Sequence, residues 1–269
     1  MTHQQTSWNI AMIQCDVHMG RPAENRESVG RWMEQAVSQA VKPDLIVLPE
    51  MWNTGYALQQ IHELADVEGS ESRAWISAFA QRHKVHVVAG SIAEKRGGEV
   101  YNTMRIFDRT GQEIAAYSKM HLFRLMQEEK HLSPGESQVT FELDGQTSGA
   151  SICYDIRFPE LMRTLALRGA KVLFVPAAWP HPRLHHWRTL LMARAIENQM
   201  YVVACNRTGQ SGQDHFFGHS MIIDPWGEVL AEGGEEEGIL TGQIDLSLVD
   251  DVRSRIPVFE DRRPGLYHL

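Results

Sequence analysis

Apolar and polar positions alternate between two periods along the 269-residue chain, and this alternation predicts its elements. Residues 8–15 alternate and then run apolar, which predicts a first strand. In residues 25–41, Val29, Trp32, Met33, Ala36, Val37 and Ala40 fall on one helical stripe, ended by Lys42-Pro43-Asp44. Residues 45–48 are continuously apolar, as in a strand buried on both faces. A helix over 70–82 follows, with Trp75, Ile76, Phe79 and Ala80 on one side, then a strand over 85–92 that closes on Gly90-Ser91. Residues 101–108 and 113–119 flank Arg109-Thr110-Gly111 and predict a hairpin. A less regular segment carries Glu128 and Glu129.

The second half repeats the theme. Strands over 141–143 and 148–153 lead to a helix over 160–168, ended by Gly169. A buried strand over 172–175 precedes a helix over 185–199, with Trp187, Leu190, Leu191, Ala195 and Ile196 inward, and a strand over 201–206. A polar loop follows. Residues 218–223 and 228–231 then form a hairpin around Asp224-Pro225-Trp226-Gly227, before a strand over 239–244 and a short helix over 246–255. The tail, 256–269, has no clear period. Gly233 to Gly238 is acidic and reads as a solvated turn. Two such halves imply helices covering sheets: an α/β fold in one layered domain over 1–269, without linker or repeat.

Composition narrows the classes. Hydrophobic content of 43% and charged content of 22% are ordinary for a globular chain. A net charge of -8 argues against nucleic acid as a partner. Three cysteines, an odd count, give no disulfide framework, and residues 1–7 lack an apolar signal core, so a reducing cytoplasm is expected. No apolar run is long enough to span a bilayer, so no membrane partner is expected.

The candidate chemistry lies at strand ends, where α/β sheets assemble their sites. Cys153 sits where a strand hands over to a helix opened by Pro159 and Glu160. A proline in a first helical turn loses no intrahelical bond. A thiol there is placed as a nucleophile, with free backbone N–H groups beside it; the alternative is a buried core cysteine. Glu50 lies just past the 45–48 strand and Lys119 ends the 113–119 arm. Each alone reads as a capping or solvated residue. Together they supply what a thiol needs to attack an amide: a proton acceptor, and a cation that stabilises the oxyanion with the Tyr154 N–H. Lys119 favours the thiolate while Glu50 opposes it. A Cys–His–Asp arrangement remains open through His121, His181, His185, His186 or His219. His181, His185 and His186 also suggest a metal site, but no paired cysteine ligand or His-Glu-x-x-His pattern accompanies them. Neither a metal nor a cofactor is therefore expected.

Leu48-Pro49-Glu50, Tyr117-Ser118-Lys119-Met120-His121-Leu122-Phe123 and Ile152-Cys153-Tyr154-Asp155-Ile156-Arg157-Phe158-Pro159-Glu160 resemble the nitrilase superfamily of carbon–nitrogen hydrolases, in the family's order. The likeness runs from Ile10 to Tyr267. Cys153 to Phe158, Arg194 to Gln199, Gly218-His219-Ser220 and Ile256 to Phe259 are similar to the omega-amidase branch, and in particular to its bacterial methionine-salvage members. The resemblance implies a four-layer α-β-β-α sandwich, paired as a homodimer through helices and the tail 256–269. It implies Glu50 as general base, Cys153 as nucleophile, Lys119 as oxyanion stabiliser, and a second glutamate at Glu128 that orients Lys119, with adjacent Glu129 the alternative register. Cys15 and Cys205 match no catalytic position and read as core.

An omega-amidase hydrolyses the terminal amide of a 2-oxo dicarboxylic acid monoamide through a cysteine thioester. The substrate's other end is a carboxylate, which calls for a cationic or donor-rich pocket. Arg157 is the candidate, against a structural salt bridge with Asp155 or Glu160. Tyr56, Phe123, Trp179 and His186 are candidate pocket walls, although residues 179–187 depart from the animal omega-amidase pattern. The alternatives are a deaminated-glutathione amidase, an N-carbamoyl hydrolase, a nitrilase proper, and a non-catalytic binding protein. Intact Glu50, Lys119 and Cys153 argue against the last.

Overall fold

The computed structural model describes residues 6–267. The first half contains strands β1 (Ser7–Gln14), β2 (Leu45–Val47), β3 (Asp66–Val67), β4 (His86–Arg96), β5 (Glu99–Phe107) and β6 (Glu113–Ser118), with helices α1 (Pro22–Val37), α2 (Ile61–Leu64) and α3 (Ser70–His83). The second half holds β7 (Thr140–Leu143), β8 (Gln146–Ala150), β9 (Val172–Ala177), β10 (Tyr201–Asn206), β11 (Thr208–Ser211), β12 (Asp214–Phe217), β13 (Met221–Ile223), β14 (Val229–Glu232) and β15 (Gly238–Asp245), with α4 (Pro159–Leu167), α5 (Leu184–Asn198) and α6 (Ser247–Arg255).

One sheet runs β15-β1-β2-β4-β5-β6, with β3 beside β4; the other runs β14-β13-β10-β9-β8-β7. Each has a parallel centre, β1-β2-β4 and β8-β9-β10, with antiparallel strands outside it except the short β3, which pairs parallel with β4. Strand β15 returns from the second half to pair with β1. The period-two pattern of β1 explains the layering. Trp8, Ile10 and Met12 face the core that joins the two sheets, while Ala11, Ile13 and Cys15 face α1 and α3. Helices α4 and α5 cover the outside of the second sheet, against β8 and β10. The result is the expected α-β-β-α order of layers.

Several boundaries differ from the sequence reading. Helix α1 starts three residues earlier than expected, with Pro22 pre-set for the first turn, and stops at Val37. The strand expected over 218–223 pairs only from Met221. The polar loop before it contains the β11–β12 ribbon. The strand before Cys153 ends at Ala150, and a 3-10 turn, Cys153–Arg157, separates it from α4.

Candidate active site

Glu50, Lys119 and Cys153 lie on separate elements that end at one place. Glu50 follows β2, and the turn is held from β4: the Ser91 Oγ accepts the Met51 N–H at 3.0 Å, and the Ser91 carbonyl accepts the Trp52 N–H at 3.0 Å. Gly90 makes this approach possible. Its φ is +55°, and a Cβ there would stand 2.1 Å from the Pro49 carbonyl oxygen. Lys119 follows β6. Its carbonyl accepts the Gly135 N–H at 2.8 Å, and a Cβ on Gly135 would lie 2.1 Å from the Ser118 carbonyl oxygen. The Leu132-Ser133-Pro134-Gly135 segment therefore packs directly against the backbone that presents Lys119.

Cys153 begins the 3-10 turn with φ +46°, a left-handed conformation that a non-glycine residue holds only when its surroundings enforce it. Asp155 provides that enforcement. Buried completely, its carboxylate accepts the Ile152 N–H at 2.8 Å, the Tyr117 hydroxyl at 2.7 Å and the His121 N–H at 3.1 Å. From the other side, Arg194 donates to the Ile156 carbonyl at 2.7 Å. Tyr154 occupies the second position of the turn, where an N–H has no partner within the turn.

The charges form a closed assembly. The Lys119 ammonium donates to Glu50 Oε1 at 2.9 Å and to Glu128 Oε1 at 2.8 Å, with all three side chains buried. Glu50 also accepts the Asn102 amide at 2.8 Å and the Ala178 N–H at 2.7 Å. Glu128 accepts the Tyr56 hydroxyl at 3.0 Å and the Phe123 N–H at 2.9 Å. Burial works against the Lys119 charge, but Glu128 and Glu50 outweigh it and hold the ammonium well above the usual lysine range. Burial likewise raises Glu128, with Lys119 opposing and Glu50 adding. Burial, then Glu50, pushes the Cys153 thiol well above its ordinary range despite Lys119. The resting thiol is therefore neutral.

A pocket opens onto Cys153. Its walls include Tyr56, Phe123, Glu128, Tyr154, Arg157 and Trp179, together with Met126, Ala178, Pro180 and Arg183. His186 is not among them. It is exposed on α5 and meets Arg157 at 3.3 Å, because the helix turns that side chain outward while Trp187 goes into the core. Arg157 lies over the Trp179 ring at 4.8 Å, and no ion pair joins it to Asp155 or Glu160. Glu128, and not the exposed Glu129, enters the site.

The histidine alternatives are dispersed. His121 is 2.8 Å from Asp155 and stacked on Phe158, and His219 is 2.7 Å from Glu232; neither lines the pocket. Among the described residues, one set of potential metal ligands comes together. It is His181 with His215 and Glu235, rather than with His185 and His186, and it too lies outside the pocket walls. Besides the pocket-wall residues Met126, Ala178 and Pro180, Asn102, Asp155 and Arg183 escaped the sequence reading. Asn102 sits inside a strand and carries no local signal. Asp155 reads in the sequence only as a partner for Arg157. Arg183, beside Pro182, carries no periodic or motif signal in the sequence.

Comparison with known proteins agrees with this geometry. The family model of carbon-nitrogen hydrolases matches residues 9–254. The 2-oxoglutaramate amidase of Bacillus subtilis (strain 168) is 51% identical over 260 residues, covering 97% of this chain and 99% of that protein. The human omega-amidase NIT2 is 35% identical over 273 residues, 97% of each chain. The crystal structure of a Saccharomyces cerevisiae member of the nitrilase superfamily superposes with a TM-score of 0.88 at 30% identity, covering 95% of this chain and 96% of that one. The chain belongs to the carbon-nitrogen hydrolase family, within the nitrilase superfamily. It is a hydrolase of amide carbon–nitrogen bonds.

Proposed function

We propose that this enzyme is an omega-amidase that converts 2-oxoglutaramate and related 2-oxo dicarboxylate monoamides to the 2-oxo dicarboxylate and ammonia. The observation that carries the reading is one pocket with Cys153 beside the buried Glu50–Lys119–Glu128 assembly and Arg157 on its wall. The names of the Bacillus and human relatives point to the same substrate class.

In this reading Glu50 accepts the Cys153 proton as the sulfur attacks the amide carbon. The negative charge that develops on the carbonyl oxygen is met by Lys119 and the Tyr154 N–H. Glu50 returns the proton to nitrogen, ammonia leaves, and a thioester remains on Cys153. Glu50 then draws a proton from water, which attacks the thioester; the carbon–sulfur bond breaks, the acid is freed, and the proton passes from Glu50 back to the Cys153 sulfur. Glu128 orients Lys119 and the water, and Arg157 grips the distal carboxylate. Tyr56, Phe123 and Trp179 shape the pocket. The protonated resting thiol suits this sequence, because the nucleophile is formed only when substrate is present.

The proposal extends to a cytoplasmic homodimer whose contact includes the tail 256–269, of which residues 268 and 269 lie outside the described part, and to methionine salvage as the setting. Among the described residues no helix is long and apolar enough to cross a membrane.

Ammonia release from 2-oxoglutaramate, deaminated glutathione and N-carbamoyl amino acids tests the substrate class; 2-oxoglutaramate as the poorest of the three would overturn it. Cys153→Ala should remove turnover and the acyl adduct seen by mass spectrometry, with an unchanged circular-dichroism spectrum. Near-normal turnover in that variant would remove Cys153 from the nucleophile's role.

A further inference from the structure

Two guanidinium groups line the pocket that contains Cys153, and neither meets a carboxylate. Arg157 follows the nucleophile by four residues. Its guanidinium lies over Trp179, and its hydrogen-bond contact is with the His186 ring at 3.3 Å. Arg183 stands at the start of α5, just after Pro180 of the pocket wall, with its guanidinium over the Phe123 ring at 5.5 Å. Among the described residues no aspartate or glutamate lies within ion-pair distance of either group. The one carboxylate in the pocket wall, Glu128, is already engaged by Lys119, Tyr56 and the Phe123 N–H.

We infer that Arg183 is a specificity-determining residue: with Arg157 it forms a two-cation rim that draws in 2-oxo acid amides and rejects the corresponding 2-amino acid amides. This rests on the omega-amidase reading and adds to it a reason for discriminating 2-oxoglutaramate from glutamine. The two compounds have the same amide end, the same chain length and the same carboxylate. They differ at one carbon. A carbonyl oxygen there accepts hydrogen bonds, and a guanidinium offers only donors, so the pair is matched. An ammonium there brings three donors and a positive charge against two cations, which is mismatched in both hydrogen bonding and charge. The carboxylate itself fits the planar fork of arginine better than the point charge of lysine. The two groups feel one another as well: burial is the main influence that lowers the Arg157 proton affinity, and the Arg183 charge acts in the same direction. An incoming anion would relieve that repulsion.

The test uses the wild-type enzyme, Arg183→Met and Arg183→Lys, with 2-oxoglutaramate, L-glutamine and the uncharged five-carbon amide valeramide. In Arg183→Met the KM for 2-oxoglutaramate should rise about ten- to a hundredfold, the range expected for a lost hydrogen bond to a charged group, with a much smaller change in kcat. The loss in kcat/KM on 2-oxoglutaramate should exceed that on valeramide at least tenfold, and the preference over glutamine should narrow. Arg183→Lys should fall between the two enzymes. Equal losses on 2-oxoglutaramate and valeramide, or an unchanged preference over glutamine, would overturn the inference and leave the omega-amidase reading standing. A wild-type enzyme that favours valeramide over 2-oxoglutaramate would instead overturn the omega-amidase reading, and this inference with it.

Discussion

At the scale of residues, burial sets the protonation states. Cys15 is fully buried, and burial, with Glu237 adding, pushes its thiol up to about 12 from an ordinary 9.0. The folded chain thus keeps a proton that the unfolded chain releases. Its contribution to stability is complete below pH 9, declines as pH rises from there, and is exhausted above about 12. The slope is at most about 1.4 kcal/mol per pH unit for one such group. Urea midpoints measured between pH 8 and 10.5 should therefore fall with pH, and the fall should be shallower in Cys15→Ala. Parallel curves for the two proteins would exclude Cys15 as a source. The catalytic candidates Glu50, Lys119 and Cys153 were legible because each follows an apolar run that ends abruptly. Glu128 was less so. Neighbouring glutamates cannot be separated by periodicity in a segment that folds as two consecutive 3-10 turns. Asn102 and Arg183 were invisible because their partners, Glu50 and the pocket, are brought to them only by tertiary packing.

At the scale of elements, the strands and long helices followed from the two periodicities, because the central strands of each sheet are buried on both faces. The β11–β12 ribbon did not. Thr208-Gly209-Gln210-Ser211 is polar, and only Phe216 and Phe217 on the return strand are apolar and buried. The ribbon is held from outside, by bridges of Thr208 to Asp16 and of Phe216 to Pro180, so local preference alone would leave it a loop. The segment that supports Lys119 makes a prediction at this scale. Adding a methyl at Gly135 drives it into the Ser118 backbone. Overpacking of this kind costs about 1–3 kcal/mol, and the strand end has to move to relieve it. Gly135→Ala should lower both the thermal midpoint and kcat, whereas Gly97→Ala, at an open turn, should leave kcat unchanged. An unaltered kcat in Gly135→Ala would show that Lys119 is placed without this support.

At the scale of the whole molecule, several large apolar side chains remain exposed. Leu167, Ile196, Trp226, Val229, Leu230 and Ile256 are exposed on α4, α5 and the neighbouring strands and tail. Phe259 of the tail is held there between Arg163 and Arg253, at 5.1 and 4.9 Å. Under the proposed homodimer, Ile196→Asp should place a charge in the contact and shift the sedimentation coefficient from dimer to monomer. A monomeric wild-type enzyme, or a variant that stays dimeric, would set that arrangement aside.

The two sheets also divide the chemistry between them. Glu50 and Lys119 extend from strands of one sheet and Cys153 from a strand of the other, so the proposed proton acceptor and the proposed nucleophile belong to different halves of the chain. Nothing within either half sets the gap across which the proton moves. It is set between the halves, by the bonds of the Tyr117 hydroxyl and His121 N–H to Asp155 and of the Ala178 N–H to Glu50, and by how Trp8, Ile10 and Met12 of one layer mesh with the side chains of the other. A slide of one layer over the other would leave every strand paired and still separate the reacting atoms. Turnover is thus a sensitive gauge of how the halves are seated, and substitutions in the inner core far from the pocket can silence the enzyme while its backbone spectrum stays the same.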